Sequence, residues 1–224
     1  EEAFLAGQRV EQFHNASLDP EAYYGEVLAR DHRDVRSNVA LGIRRCRQGR
    51  YQEARHLLER ALERLTHNYT RPRDGEPHYY LGIACRALGE RFAAVDNLHR
   101  AAWNFAFRAP ANHVLAEMAC EDGDYVKAVA LSRESLLFNG QNIAAHCLLA
   151  TALRRLDNPD QAAGALADAL ALDPLSHWAT NERELSATSA EMEAGSPLVH
   201  LLGRHADNWI ELACDYLHSG CIDD

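Results

Sequence analysis

Residues 41–61, LGIRRCRQGRYQEARHLLERA, decide the fold. Leu41 and Gly42 stand together, Gly49 follows, and Tyr51, Ala54, Leu58 and Ala61 come after it at short, regular steps. Apolar residues spaced by three and four, here Ala54, Leu57, Leu58, Ala61, Leu62 and Leu65, lie on one face of a helix. Gly49 suits the left-handed backbone that ends a helix, which residues with a Cβ resist. The segment therefore predicts two amphipathic helices joined by a tight turn. Gly42 and Ala54 let the pair approach closely, and Leu41 and Leu58 fill the remaining space.

The pattern returns three times. The second copy reads Leu81-Gly82, Gly89, Ala94, Leu98 and Ala101, with Phe92 one place late for the aromatic. The third reads Leu115-Ala116, Gly123, Tyr125 and Ala128, then Ser132 and Ser135. The fourth reads Leu149-Ala150, Ala162, Leu166, Ala169 and Pro174, with Asp157-Asn158-Pro159 at the turn, where Asn158 is expected to cap the next helix. A single pair cannot bury its own apolar face, so neighbours must stack.

The small residues at 42, 82, 116 and 150 give intervals of 40, 34 and 34. With this residue pattern the spacing resembles the tetratricopeptide repeat (TPR), whose period is about 34. The resemblance implies an all-α, right-handed superhelical solenoid of antiparallel helix pairs. Residues 35–174 carry four repeats. Residues 1–34 read as a degenerate leading pair, with Asp19-Pro20 opening its second helix, and residues 175–204 as an irregular fifth pair. Residues 205–224 match the first helix of a further, truncated repeat through Trp209, Leu212-Ala213, Tyr216 and Gly220.

Two stretches depart from the period. Residues 66–77 hold six extra residues with Pro72, Gly75 and Pro77, which predicts an enlarged exposed connector ending near Asp74 and carrying Arg71 and Arg73. Trp103, Phe105 and Phe107 gather beyond the repeat-closing Ala101 and are expected to plug the junction with the next pair.

The formal charge of the 224 residues is −10, which disfavours wholesale attraction to nucleic acid or anionic membrane. The basic residues are 22 Arg and one Lys, a usage typical of GC-rich bacterial coding. Residues 31–74 hold 11 Arg against 6 acids. Arg44, Arg45, Arg47, Arg55, Arg60 and Arg64 would make a basic face for nucleic acid, the least favoured reading, because Glu53, Glu59 and Glu63 stand at spacings that satisfy several within the helix. The six cysteines occur singly and the twelve histidines are scattered, which reads as reduced buried thiols and no metal site. No apolar run approaches a membrane span, and the opening Glu-Glu-Ala has no signal-like character. These features point to a cytoplasmic piece of a longer chain. There is no phosphate-binding Gly-rich loop, G-x-S-x-G or H-E-x-x-H, so neither catalysis nor a cofactor is expected.

The TPR resemblance implies that first helices line a concave groove for a peptide or partner domain. It places Arg36, Val39, Ile43 and Arg47 there from one repeat, and Tyr79, Tyr80, Ile83 and Arg86 from the next. His113 and Glu117, then Thr151 and Arg154, follow. Tyr and Arg carry binding energy most often, so Tyr79, Tyr80 and Arg86 form the expected centre. The Lys and Asn pattern of the chaperone-tail clamp is missing, with Val39, Ile43, Tyr80 and Val114 near its positions. On the terminal helix, Trp209, Ile210, Leu212 and Tyr216 are left uncovered by any partner helix. They are expected to fold back on the preceding pair or to pair with a second copy as a homodimer. A narrower resemblance, carried by residues 19–26 (DPEAYYGE), 76–82 (EPHYYLG), 102–104 and 173–175, is to the repeat-bearing tail of large bacterial proteins. Their β-rich N-terminal domain, of unknown function, is linked to carbohydrate metabolism. That resemblance implies an accessory module docking on its own front domain.

Overall fold

The computed structural model describes residues 1–13, 17–68, 72–186 and 196–221. Among the described residues every regular element is an α-helix. The first six are α1 (Glu2–Gln12), α2 (Pro20–Arg30), α3 (Val35–Arg47), α4 (Tyr51–Leu65), α5 (Glu76–Ala87) and α6 (Arg91–Ala101). Then come α7 (Phe105–Glu121), α8 (Tyr125–Phe138), α9 (Ile143–Arg155), α10 (Pro159–Leu172), α11 (His177–Leu185), α12 (Pro197–Leu202) and α13 (Ala206–Ser219). The chain divides into two compact units, Glu1–Phe107 and Arg108–Asp224.

Four turns show how one local rule is reused. Gly49, Gly89 and Gly123 take φ of 72°, 75° and 71° just past the ends of α3, α5 and α7. After each, an N–H reaches back to a carbonyl five residues earlier: Arg50 to Arg45 (2.8 Å), Glu90 to Cys85 (2.8 Å) and Asp124 to Ala119 (2.9 Å). Asp157 takes the same place after α9 at φ 55°, and Asn158 N–H bonds Leu153 O at 3.0 Å. The expected side-chain cap by Asn158 is absent. The turn is made instead by Asp157, one of the residue types that tolerate left-handed backbone, and Pro159 starts α10 with no N–H to satisfy.

Close packing inside each pair follows from the small residues. A Cβ on Gly42 would stand 2.7 Å from Leu58 Cγ, and one on Gly82 would stand 2.7 Å from Leu98 Cγ. Ala54, Leu58 and Ala61 have no exposed surface, nor do Ala94, Leu98 and Ala101. Within the first unit α5 then packs on both α3 and α4, so each pair covers its neighbour's apolar flank. In the second unit α9 packs on α8, α10 and α11. The leading pair uses a different lock: the Tyr24 ring lies against Gly7, and its hydroxyl donates to Glu11 Oε2 at 2.9 Å. Asp19 accepts the Glu21 N–H at 3.0 Å and so opens α2.

The aromatic cluster after α6 differs from expectation. Trp103 and Phe105 are 48% and 76% exposed, whereas Phe107 is half-buried and stacks 5.5 Å from Tyr79. The reason is the turn at Asn104, whose side chain donates to Arg73 O (2.7 Å) and accepts from Ala106 N–H (3.0 Å). It starts α7 at Phe105, and the helical twist then turns Phe105 and Phe107 to different sides. In the enlarged connector Asp74 accepts the Glu76 N–H at 2.9 Å, at the start of α5; Arg71 lies outside the described residues.

Filling the space at Gly42 should be costly because Leu58 Cγ is not a flexible tip. Gly42→Val is expected to lower unfolding free energy by about 1–3 kcal/mol. Leu58→Ala alone should cost about 2–5 kcal/mol. Urea denaturation of the double variant should show a loss smaller than the two single losses together.

Candidate functional site

The first unit carries a groove of about 620 Å³. Its apolar lining comes from Phe4 on α1, Tyr24 on α2, Val39, Ala40 and Ile43 on α3, and Pro77 on α5. Arg36, Arg47, Glu11 and Glu76 add charge at the same surface. The Arg36 guanidinium lies over the Phe4 ring, 4.7 Å from its centre, and pairs with Glu1 at 3.6 Å. Arg47 pairs with Glu11 at 3.6 Å yet keeps 64% of its side chain exposed. Burial, then the charge of Asp74, raises the Glu76 carboxyl above its usual range, so a cation brought to it would be welcome. The site thus offers a partly exposed apolar patch set among two arginines, Arg36 and Arg47, and three carboxylates, Glu11, Asp74 and Glu76.

The expected groove residues fall into three groups. Arg36 and Arg47 are in this lining. Tyr79, Tyr80, Ile83 and Arg86 stand half-buried on α5 outside it, with the Tyr79 and Tyr80 rings edge to face at 5.2 Å. In the second unit His113 Nε2 is 3.3 Å from Glu117, Thr151 has no exposed surface, and Arg154 binds Glu182 through Nε (2.9 Å) and Nη2 (3.2 Å). Sequence reading missed the part played by α1 and α2. Phe4 and Tyr24 were visible as apolar residues of the leading pair, but nothing local told which way they face.

On the terminal helix, Trp209 and Ile210 are 44% and 59% exposed. Leu212 and Tyr216, expected on an uncovered face, are instead buried against the second unit's core. Tyr216 lies 5.8 Å from Trp178 and donates its hydroxyl to Glu182 Oε1 at 2.6 Å.

The Arg-rich stretch is tied down mostly across helices rather than within them. Arg45 grips Glu21 of α2 with two bonds of 2.7 Å, and Gln48 adds a third at 3.1 Å. Arg44 reaches Glu21, Asp19 and Glu11 at 3.4–3.6 Å. Arg64 pairs with Asp31 at 2.6 Å, Arg33 with Glu63 at 3.4 Å, and Arg55 with both Glu59 and Glu90. Among the described residues no three His, Cys, Asp or Glu side chains gather where they could hold a metal ion. Nor is any described helix long and apolar enough to cross a membrane.

The same arrangement of helices recurs in solved structures. The MamA protein shares 22% identity at a TM-score of 0.63, over 77% of this chain and 90% of that one. YrrB, described as a TPR protein with an unusual peptide-binding site, shares 16% at 0.63, over 81% and 90%. The chain has the TPR fold. The C-terminal part of a TPR repeat-containing protein from Cytophaga hutchinsonii extends the match to 96% of this chain and 83% of its own, at 11% identity and a TM-score of 0.69. No family model matches the sequence. At these identities it is the TPR architecture that is shared.

The brace between α2 and α3 should titrate. Hydrogen bonds from Arg45 hold the Glu21 carboxyl down to about 2, against the opposing effect of burial, with Gln48 and Arg44 helping. A carboxyl lowered in the folded state contributes stability that is complete above its unfolded value near 4.5 and is lost as pH falls towards about 2. Glu21→Gln should therefore destabilise the protein by about 1–2 kcal/mol at pH 7 and by little at pH 2.5, read from denaturant midpoints at the two values.

Proposed function

We propose that this protein is a non-catalytic interaction module that binds a peptide or a surface segment of a partner protein in the groove of its first unit. The observation that carries the reading is the lining itself. Phe4, Ala40 and Ile43 leave apolar surface beside the buried Tyr24 and Val39, flanked by Arg36, Arg47 and Glu76, in a concavity of about 620 Å³. Apolar anchors with a few convergent charged groups are what binding sites for extended ligands require. YrrB, a solved structure of the same fold, is described as having a peptide-binding site, which supports the reading. The charge arrangement favours a segment with one acidic side chain directed at Arg36 and Arg47, apolar residues between, and a basic or amide group towards Glu76. Tyr79, Tyr80, Ile83 and Arg86, next along α5, would receive the continuation of a longer ligand.

A protein partner is favoured over nucleic acid because Arg44, Arg45, Arg55 and Arg64 already face carboxylates from neighbouring helices. A row of neutralised guanidinium groups offers little to a phosphate backbone.

Selection of a displayed random peptide library against the full chain tests the proposal. Enriched peptides should share an acidic residue beside apolar ones. They should lose at least tenfold in affinity with Ile43→Asp and with Arg47→Glu, but not with Phe92→Asp on exposed α6. Failure to enrich any sequence, or enrichment indifferent to Ile43 and Arg47, would remove this function.

A further inference from the structure

One first helix of the second unit, α9, is buried more deeply than α5 of the first. Cys147, Thr151 and Arg154 on α9 hold the repeat positions that Tyr79, Ile83 and Arg86 hold on α5, two periods of 34 earlier. On α5 these positions are half-buried. On α9 Cys147 and Thr151 have no exposed surface, and residues Ala145 to Leu153 are buried without a break. A repeat helix buried on every side has something lying across its open face.

That something is α13. Gly220, at the end of α13, is so near α7 that a Cβ on it would stand 2.7 Å from Glu121 Cα. Cys221, just past α13, is buried in the core together with Cys120 of α7. Tyr216 donates to Glu182 (2.6 Å) and accepts from Asn181 (2.7 Å), and the fully buried Glu182 is held in turn by Arg154. Leu212 is buried one turn before Tyr216. The helix lies against Glu121 of α7, against Trp178, Asn181 and Glu182 of α11 and, through Glu182, beside Arg154 of α9; α7, α9 and α11 are the first helices of their pairs.

The seat is good in shape and poor in charge. Asp215 is half-buried, with Glu211 and His218 beside it on its own helix, Glu117 facing it from α7 and His177 from α11. Burial, then Glu211, raises its carboxyl above the usual range, Glu117 adds to this, and the two histidines oppose it. A carboxylate is thus held partly out of water, with Glu117 against it and the two histidines in its favour.

We infer that the face of α7, α9 and α11 is a helix-binding site filled by the chain's own α13. From a partner protein it would take an amphipathic helix bearing Leu-x3-Tyr-x3-Gly with a neutral or basic side chain where α13 has Asp215. The small Gly is needed against Glu121, the Tyr hydroxyl fits the Glu182–Asn181 pair, and a cation would meet Glu117. A second copy's α13 brings the same Asp215 and gains nothing over the tethered one, whose effective concentration is in the millimolar range. This site is separate from the groove of the first unit, and its failure would leave that reading intact.

The probe is a fluorescein-labelled peptide of residues 206–220 carrying Asp215→Lys and Cys214→Ser, titrated with the full chain by anisotropy. Loosening the resident helix with Leu212→Asp should raise the affinity at least tenfold over the unaltered chain. Tightening it with Asp215→Asn should lower the affinity severalfold. Hydrogen exchange on the unaltered chain keeps the proposal testable if Leu212→Asp unfolds: α13 amides should exchange at least a hundredfold faster than those of α9. Three results would overturn it: affinity indifferent to Leu212→Asp in a folded variant, α13 exchanging only together with α9, or α13 exchanged between copies in a concentration-dependent dimer.

Discussion

In the α3–α4 and α5–α6 pairs, the contact between a leucine of the second helix and the glycine facing it on the first sets the terms for the rest. Leu58 against Gly42, and Leu98 against Gly82, bring two helix backbones as close as an absent Cβ allows. Nothing larger than hydrogen fits at those glycines unless Leu58 or Leu98 shifts. The third and fourth copies carry Ala116 and Ala150 at the same step, so the residue there stays small throughout. The turn after α3, α5, α7 and α9 serves the same pairing, since a left-handed residue there reverses the chain within two or three residues. Asp157 shows that the geometry, rather than glycine as such, is what the pair requires.

Charge is organised around that frame, not the reverse. The arginines of α3 and α4 reach carboxylates on helices that the packing has already brought near: Glu21 on α2, Asp31 after it, and Glu90 before α6. Exposed pairs of this kind stabilise little singly. The exception is the Arg45–Glu21 fork, where two short bonds and a partly buried carboxylate tie the leading pair to the first full repeat. Such pairing also removes free positive charge from the stretch where sequence composition concentrates it.

Equivalent helix positions are buried to different depths along the chain. In the first unit, α1 and α2 wall a groove in which Val39 is buried and Ile43 is half-buried. In the second, the corresponding positions Cys147 and Thr151 are small and fully covered. Bulky Tyr79 and Ile83 on α5 would not admit a helix at the depth that Cys147 and Thr151 allow. The side chains themselves therefore separate a face that can stay open from one that a helix can occupy.

The repeat, its period and the pairing of helices were legible because a small residue, a leucine and a turn glycine recur at set offsets in positions 35–174. Those are local requirements, met within about twenty residues, and a sequence pattern records them directly. Which charges would meet was only half legible: Glu53 and Glu59 are visible at helical spacing, whereas Glu21 pairs with Arg45 across 24 residues. The aromatic residues at 103 and 105 misled, since their exposure depends on where the Asn104 turn starts α7. The fate of α13 was beyond reach in the same sense. Its Leu, Tyr and Gly match the repeat, but a first helix and a groove-filling helix show the same apolar periodicity. By itself the sequence determined the all-α repeat, because close packing demands particular residue sizes at particular steps. Only the tertiary structure decided which repeat faces are open and which are filled, because that depends on side chains far apart in the chain competing for one surface.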